Sequence, residues 1–317
     1  MILFALTNDG IMAKEEELTM STKMFKHAEM YLLLLPGLLF LIVFKYIPMY
    51  GIVIAFQDFN VFEGIRGSAW VGFQHFEKLF RYPEFYNVLK NTLIISIYKM
   101  VVLFPIPILI AVLLNEIRHM VFKRSIQTVI YLPHFLSWVI IGGLFTNILS
   151  PSSGIVNKII ELFGGEAISF LTDNNWFRTM LVVSQGWKEA GWAAVVYIAA
   201  IAGVNPELYE AASIDGAGRV KQMIHITLPG IAATIVLMLI LRLGNLLEAG
   251  TEQILVMYNP VVYETSDVIG TYVYRIGLGK MQYSFSTAVG LFNSVIGFIL
   301  ILSGNYLSRK LVQRSIW

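Results

Sequence analysis

"ELYEAASIDGAGRVKQMIHITLP", Glu207 to Pro229, lies between two apolar stretches, each long enough to cross a bilayer. A few residues would close a turn between two membrane helices, so a connection of this length and polarity needs a reason. Its local chemistry reads as two short helices. Asn205 is a good N-cap, and Pro206 suits the first helical position, where its missing N–H costs nothing. Glu207 falls in the first turn, favourable against the positive end of the helix dipole. The first helix is expected to run to Ile214. Asp215 is expected to cap the second, with Gly216 relieving the tight backbone between them. Arg219, Lys221 and His225 then fall towards the C-terminal half of the second helix, the favourable end for cations, and Pro229 stops it. Ala211, Ala212, Ala217 and Gly218 permit close approach of another surface, while Leu208, Tyr209, Ile214 and Ile224 supply an apolar ridge. Pattern alone leaves two readings level: a rigid projection that meets a partner, or an interfacial helix lying flat under lipid headgroups.

The chain around this stretch is greasy. Of 317 residues, 56% are hydrophobic and 14% charged, and mean hydropathy is +0.68. Soluble domains carry about 25% charged residues, which excludes that class. A net charge of +2, scattered along the chain, argues against nucleic acid. No cysteine is present, so disulfides and thiolate metal sites are excluded. "MILFALT" lacks a basic start and "KEEEL" follows before any long apolar run, so no cleaved leader is expected.

Six stretches approach the ~20 apolar residues that a hydrocarbon core requires. They are 30–47, 88–115 (kinked near Pro105 and Pro107), 126–149, 178–202, 231–247 and 286–307. No ten-residue alternating pattern recurs, which argues against a barrel. The expected fold is an all-α polytopic membrane protein with one membrane domain over 30–308. An N-terminal segment 1–29 and a tail 309–317 flank it, and the loop 205–229 joins the fourth and fifth spans. Basic residues crowd into the short segments "EIRHMVFKRS" and "LSRKLVQR", which by the positive-inside rule puts both termini and the loop 205–229 in the cytoplasm. The segment 56–87 on the other side is rich in aromatics, which suits either an interfacial belt or docking of an extracytoplasmic partner.

The string Glu210-Ala211-Ala212, two residues, then Asp215-Gly216-Ala217, with Leu228-Pro229 eleven residues beyond Ala217, resembles the EAA loop. That loop is the signature of permease subunits of binding-protein-dependent ABC importers. "YLPHFLSWVI", "VGFQHFEKLF" and "YNPVVYETSDVIGTYVYRIGL" extend the resemblance to the oligosaccharide- and polysaccharide-type carbohydrate permeases, alginate-oligosaccharide importers among them. The resemblance implies six spans in the bacterial cytoplasmic (inner) membrane and a coupling helix that inserts into a cytoplasmic ATPase. Glu210, Ala211, Ala212, Asp215, Gly216, Ala217, Arg219, Leu228 and Pro229 would form that contact. The implied partners are a second, different permease, two ATPase subunits that bind ATP and Mg, and an extracytoplasmic sugar-binding protein.

The residues agree with a subunit that does no chemistry of its own. No G-x-x-x-x-G-K-[ST] cradle is present, the five His are dispersed, and there is no G-x-S-x-G elbow. No catalytic residue, metal site or cofactor is therefore expected in this chain. Charges do occur inside the spans, and each needs a partner, a watery route or a snorkelling path. Lys45 is expected to snorkel, and Arg242 to pair either with Glu248 or with substrate. Lys99 and Lys188, with Trp187 and Trp192 as stacking faces for pyranose rings and Tyr98 and Trp138 as further candidates, are expected to line a sugar pathway. For an anionic sugar, Lys99, Lys188 or Arg242 would neutralise it. An alternative class, the ion-coupled secondary transporter, would need broken helices at mid-depth in an inverted repeat, and neither is evident in the sequence. A non-transporting scaffold would have no use for the charges within the spans.

Overall fold

The computed structural model describes residues 28–312. The segment 1–29 thus lies almost wholly outside the described residues, and of the tail 309–317 only helical backbone as far as Val312 falls within them. Among the described residues, three helices are long and apolar enough to cross a membrane: Met30–Phe56, Pro83–Asn115 and Tyr283–Tyr306. The count rises to six when each of three bent helix pairs is taken as one span.

The first crossing begins as α1 (Ala28–Leu41) and continues through a π turn and a 3-10 stretch to Phe56, beyond the expected end at Ile47. Pro48 does not stop it, because it takes an early position of the next turn, where no N–H is needed. A short antiparallel ribbon follows, β1 (Gln57–Asp58) paired with β2 (Ala69–Trp70), then the amphipathic α2 (Gln74–Arg81). The second crossing joins α3 (Pro83–Leu103) to α4 (Pro105–Asn115) at Phe104. It starts five residues earlier than expected, since Pro83 fits the first helical position and Glu84 the first turn.

The third crossing corrects the sequence reading. Instead of one helix over 126–149, α5 (Met120–Tyr131) passes through a 3-10 turn, Leu132–Phe135, and meets α6 (Trp138–Ile148) at 103°. Pro133 opens the turn, and the Ser137 hydroxyl caps the new helix by accepting from Ile140 N. After α7 (Ile155–Leu162), α8 (Asn174–Ala202) runs through the centre of the bundle. It bends by 72° into α9 (Pro206–Ile214). Next, α10 (Arg219–Gln222) continues through a π turn to Gly230 and meets α11 (Ala232–Gly244) at 60°. The fifth crossing therefore ends at Gly244, short of Leu247. A 3-10 turn and two left-handed residues, Ala249 (φ 50) and Gly250 (φ 83), redirect the chain into α12 (Thr251–Met257). Finally α13 (Ile269–Tyr274) leads to α14 (Tyr283–Val312).

Packing follows the apolar faces. Ala111 and Val112 of α4 meet Ala194, Tyr197 and Ile201 of α8. At Gly191 an added Cβ would stand 2.1 Å from the Ile130 carbonyl oxygen, so glycine alone lets α8 approach α5 this closely. Ile95, Phe177, Leu181 and Ile254 fill the middle of the bundle, and Phe85, Val88, Ile269, Tyr272 and Phe285 fill the end opposite the 205–229 loop. The apolar window of the first crossing is exposed, while its 3-10 end, with Ala55 buried, packs against α14.

Candidate functional site

The loop 205–229 forms as two short helices, with a different joint from the one expected. Asn205 caps α9, accepting from Glu207 N at 3.0 Å. Asp215 ends this helix rather than capping the next. Ala217 N donates to Ala212 O (2.8 Å) and Gly216 N to Ser213 O (3.2 Å) around a left-handed Gly216 (φ 77), the hydrogen-bond pair of a Schellman motif. Gly218 then precedes α10, which places Arg219 and Lys221 in its first turn, not its last. Arg219 instead faces Glu116 at the end of α4, with Nε 4.0 Å from Oε2.

Two side chains make the joint rigid, and sequence reading assigned neither. Gln222 Nε2 donates to Ser213 Oγ and to the Ala217 carbonyl, each at 3.0 Å, tying one helix to the other. The Tyr209 hydroxyl lies 3.0 Å from Thr227 Oγ1. Tyr209 therefore leaves the expected apolar ridge and turns inward. Leu208, Ile214, Val220 and Ile224 remain exposed, Ile214 at 87%. Glu210, Ala211, Asp215, Gly216, Arg219 and Pro229 are exposed, and Ala212, Ala217 and Leu228 half-buried.

The second part of the site lies at mid-depth. Lys99 is the middle residue of the Pro83–Asn115 crossing, and Lys188 the middle residue of α8. Lys99, 4% exposed, donates to Ala249 O at 2.7 Å and Gln253 Oε1 at 2.6 Å. Gln253 in turn donates to Leu181 O (2.8 Å) and Ser184 Oγ (2.7 Å). Lys188 donates to His134 O and Leu136 O, both at 2.6 Å, and its Nζ lies 5.5 Å from the centre of the Trp138 ring. Each lysine thus sits where a helix is interrupted and covers carbonyls that the break leaves without a helical donor. Interrupted backbone inside a membrane is tolerated only where such groups are satisfied. The sequence reading placed a helix–Gly–helix in the loop 205–229 alone, and the interruptions at Leu136–Ser137 and at 245–250 add to it.

The remaining candidates divide. Lys99 and Arg242 line one cleft of about 190 Å³, with Ser96, Gln185, Asn245, Glu248 and Gly250 in the same wall. Arg242 and Gln185 also line a recess beside Glu189. Glu189 holds His134 (Oε2 to Nδ1, 2.9 Å), linking the recess to the break at Leu136. Trp192 and Trp187 do not share a slot. Trp192 stacks on His134 (4.7 Å, 4°), whereas Trp187 meets Phe145 edge-on. Tyr98 reaches Thr179 (3.4 Å). Arg242 makes no ion pair with Glu248 within 4.0 Å, against the internal pairing considered from sequence. Gln185 and Gln253 were missed, although Ser184, Gln185, Lys188 and Glu189 recur at helical spacing and mark a polar face on α8.

At the end opposite the loop, the segment 258–282 is clamped onto α3 and α8. Asn91 donates to Glu264 O (2.9 Å) and Asp267 O (3.2 Å), and Arg178 donates to Thr265 O (3.0 Å). Arg275 bridges Asp267 and Glu84, its guanidinium lying against the Tyr263 and Tyr272 rings. Burial pushes the Asp267 carboxyl above the usual carboxylate range, against the hold of Thr271 and Arg275 on its charged form.

Broken helices, charges satisfied at mid-depth and a stiff polar helix pair at one end are the build of a transport permease. Residues 103–313 match the family described as "Binding-protein-dependent transport system inner membrane component", and the chain belongs to that family. It is 46% identical over 307 residues to the polygalacturonan/rhamnogalacturonan transport system permease protein YteP of Bacillus subtilis, covering 97% of this chain and 96% of that one. It is 47% identical to the Bacillus subtilis protein LplB, covering 91% of each. Among solved structures, a chain of a bacterial ABC transporter that imports the acidic polysaccharide alginate superposes with a TM-score of 0.85 at 41% identity, covering 92% of this chain and 98% of that one. The same is true of a chain of a bacterial alginate ABC transporter in complex with an alginate pentasaccharide-bound periplasmic protein (TM-score 0.86, 40% identity, 94% and 99% covered). The chain is thus an inner membrane transport component of the ABC type, and family membership sets the ion-coupled alternative aside.

Proposed function

We propose that this chain forms half of the translocation pathway of an ATP-driven importer of acidic oligosaccharides. It would pair with a second permease, two cytoplasmic ATPases that bind ATP and Mg, and an extracytoplasmic sugar-binding protein. Both termini and the loop 205–229 face the cytoplasm in this reading. The observation that carries it is likeness along nearly the whole chain to permeases whose names specify acidic polysaccharides.

The loop's geometry supports its role as the coupling element. Gln222 and the Schellman turn fix α9 against α10, so a push on one is transmitted to the other and, across the 60° bend at Ile231, on to α11. ATP closes the ATPase pair, the loop moves with it, and the two permeases rock to open outward. The binding protein releases sugar into the cleft, and hydrolysis returns the cavity to the inward-open state. Each ligand shifts this equilibrium only by its differential affinity for the two states.

Purification of the complex from its natural membrane tests the reading. ATPase subunits are expected to co-elute with the wild type and to be lost with Glu210→Lys. Uptake of a galacturonate oligomer into proteoliposomes is expected to need ATP inside the compartment that the loop faces. Transport by the permeases alone, driven by an ion gradient, would end the proposal.

A further inference from the structure

Of the three cations Lys99, Lys188 and Arg242, two are already committed. Lys99 donates to Ala249 O and Gln253 Oε1, and Lys188 donates to two main-chain carbonyls. Arg242 differs. Among the described residues it forms no hydrogen bond and no ion pair within 4.0 Å, yet it is half-buried in the last turn of α11 and lines both the cleft and the recess beside it. Gln185 lines the same two spaces, and its buried Oε1 has no donor. A half-buried guanidinium with no hydrogen-bonded partner and a buried carbonyl oxygen with no donor are costly unless something completes them.

The missing partner must offer an anion to Arg242 and, close beside it, an O–H to Gln185. A planar guanidinium matches a carboxylate with paired N–H donors, a fit that a lysine does not reproduce. A sugar acid carries both groups on one ring, a carboxylate and hydroxyls a few bonds away. The acidic neighbours do not satisfy Arg242. Glu189 is held by His134, and Glu248, on the same cleft wall, stands beyond ion-pair distance.

We propose that Arg242 and Gln185 form a station for one uronate unit in passage. The guanidinium holds the carboxylate, and a ring hydroxyl donates to Gln185 Oε1. The inference rests on the importer reading given above and deepens it, by assigning the carboxylate to one side chain of the three.

The test uses the complete complex with its binding protein in proteoliposomes, supplied with a radiolabelled galacturonate tetramer. Uptake is expected to fall about tenfold in Arg242→Gln, the scale of one lost charge-assisted contact. Arg242→Lys, which keeps the charge and loses the fork, is expected to fall about threefold. ATP hydrolysis evoked by the loaded binding protein is expected to stay near wild type in both, because loading precedes this station. Wild-type uptake by Arg242→Gln overturns the station and leaves the importer reading intact. A wild-type complex that imports neutral oligomers and refuses the tetramer overturns both. Assembly is followed by co-purification. Should Arg242→Gln not assemble, Arg242→Lys decides, full-rate uptake in it counting against the proposal.

Discussion

Lys99 Nζ lies 2.7 Å from the carbonyl oxygen of Ala249, joining the midpoint of one crossing to the left-handed turn that ends another. A charge at the bilayer centre costs about 3 kcal/mol, so its placement against a carbonyl and an amide offsets a large part of that cost. Lys99→Met removes the charge and also leaves the Ala249 and Gln253 oxygens without a donor. The expected loss is about 2 kcal/mol of stability. Hydrogen exchange should rise over 245–257 well before it rises in α14. Unchanged protection of that segment in the variant would show the lysine to be idle.

Lys188→Met is the parallel case at the other break. Removal of its two donated hydrogen bonds frees the carbonyls of His134 and Leu136. The 103° corner at Leu136 is expected to loosen, read as faster exchange across 132–140 with α4 unaffected. Equal change in both regions would point to global destabilisation.

Gly216 adopts φ 77, and nothing stands within 4 Å of the position a Cβ would take. Backbone strain alone is therefore at issue, about 1–2 kcal/mol for Gly216→Ala. Gly216→Pro is more severe, since it excludes this φ and deletes the N–H that donates to Ser213. That variant is expected to insert and assemble with its partner permease while ATP-coupled uptake is abolished. Normal uptake would disprove the need for a stiff joint. Gln222→Ala should act more gently, lowering sugar moved per ATP hydrolysed.

Arg275→Met strips the clamp on Asp267. Burial already raises that carboxyl, and without the guanidinium it rises further. A carboxyl with a raised folded-state value contributes stability that is fully present below its unfolded value, about 4, and is lost as pH climbs through the folded one. The destabilisation caused by Arg275→Met is thus expected to be larger at pH 8 than at pH 5, measured by thermal unfolding. Asp267→Asn in the same background should abolish that difference.

The long apolar helices over 30–56, 83–115 and 283–306 and the helix pair at 205–229 were legible because long apolar runs, Asn205 and Pro206 are local signals. The breaks at Leu136 and Ala249 were not. Their carbonyls are covered by lysines 52 and 150 residues away, and such distant pairing leaves no mark in a window of sequence. The joint at Gly216 was misread in register for a related reason. Asp215 has the chemistry of a cap for either helix, and the choice is made by Ala217 and Gln222, whose hydrogen bonds reach back to Ala212 and Ser213. In the cleft, Lys99 and Arg242 announced themselves by charge, whereas Gln185 reads as an ordinary polar residue until its buried oxygen is seen to be unpartnered.

Three of the four acceptors that hold the two central lysines are peptide oxygens, which every amino acid carries. Position 136 can therefore drift so long as the main chain keeps its course, whereas His134 is also held by Glu189 and Trp192, and Ala249 by its buried left-handed backbone. The donors have no such latitude, which makes positions 99 and 188 poor choices for labels or cross-linkers.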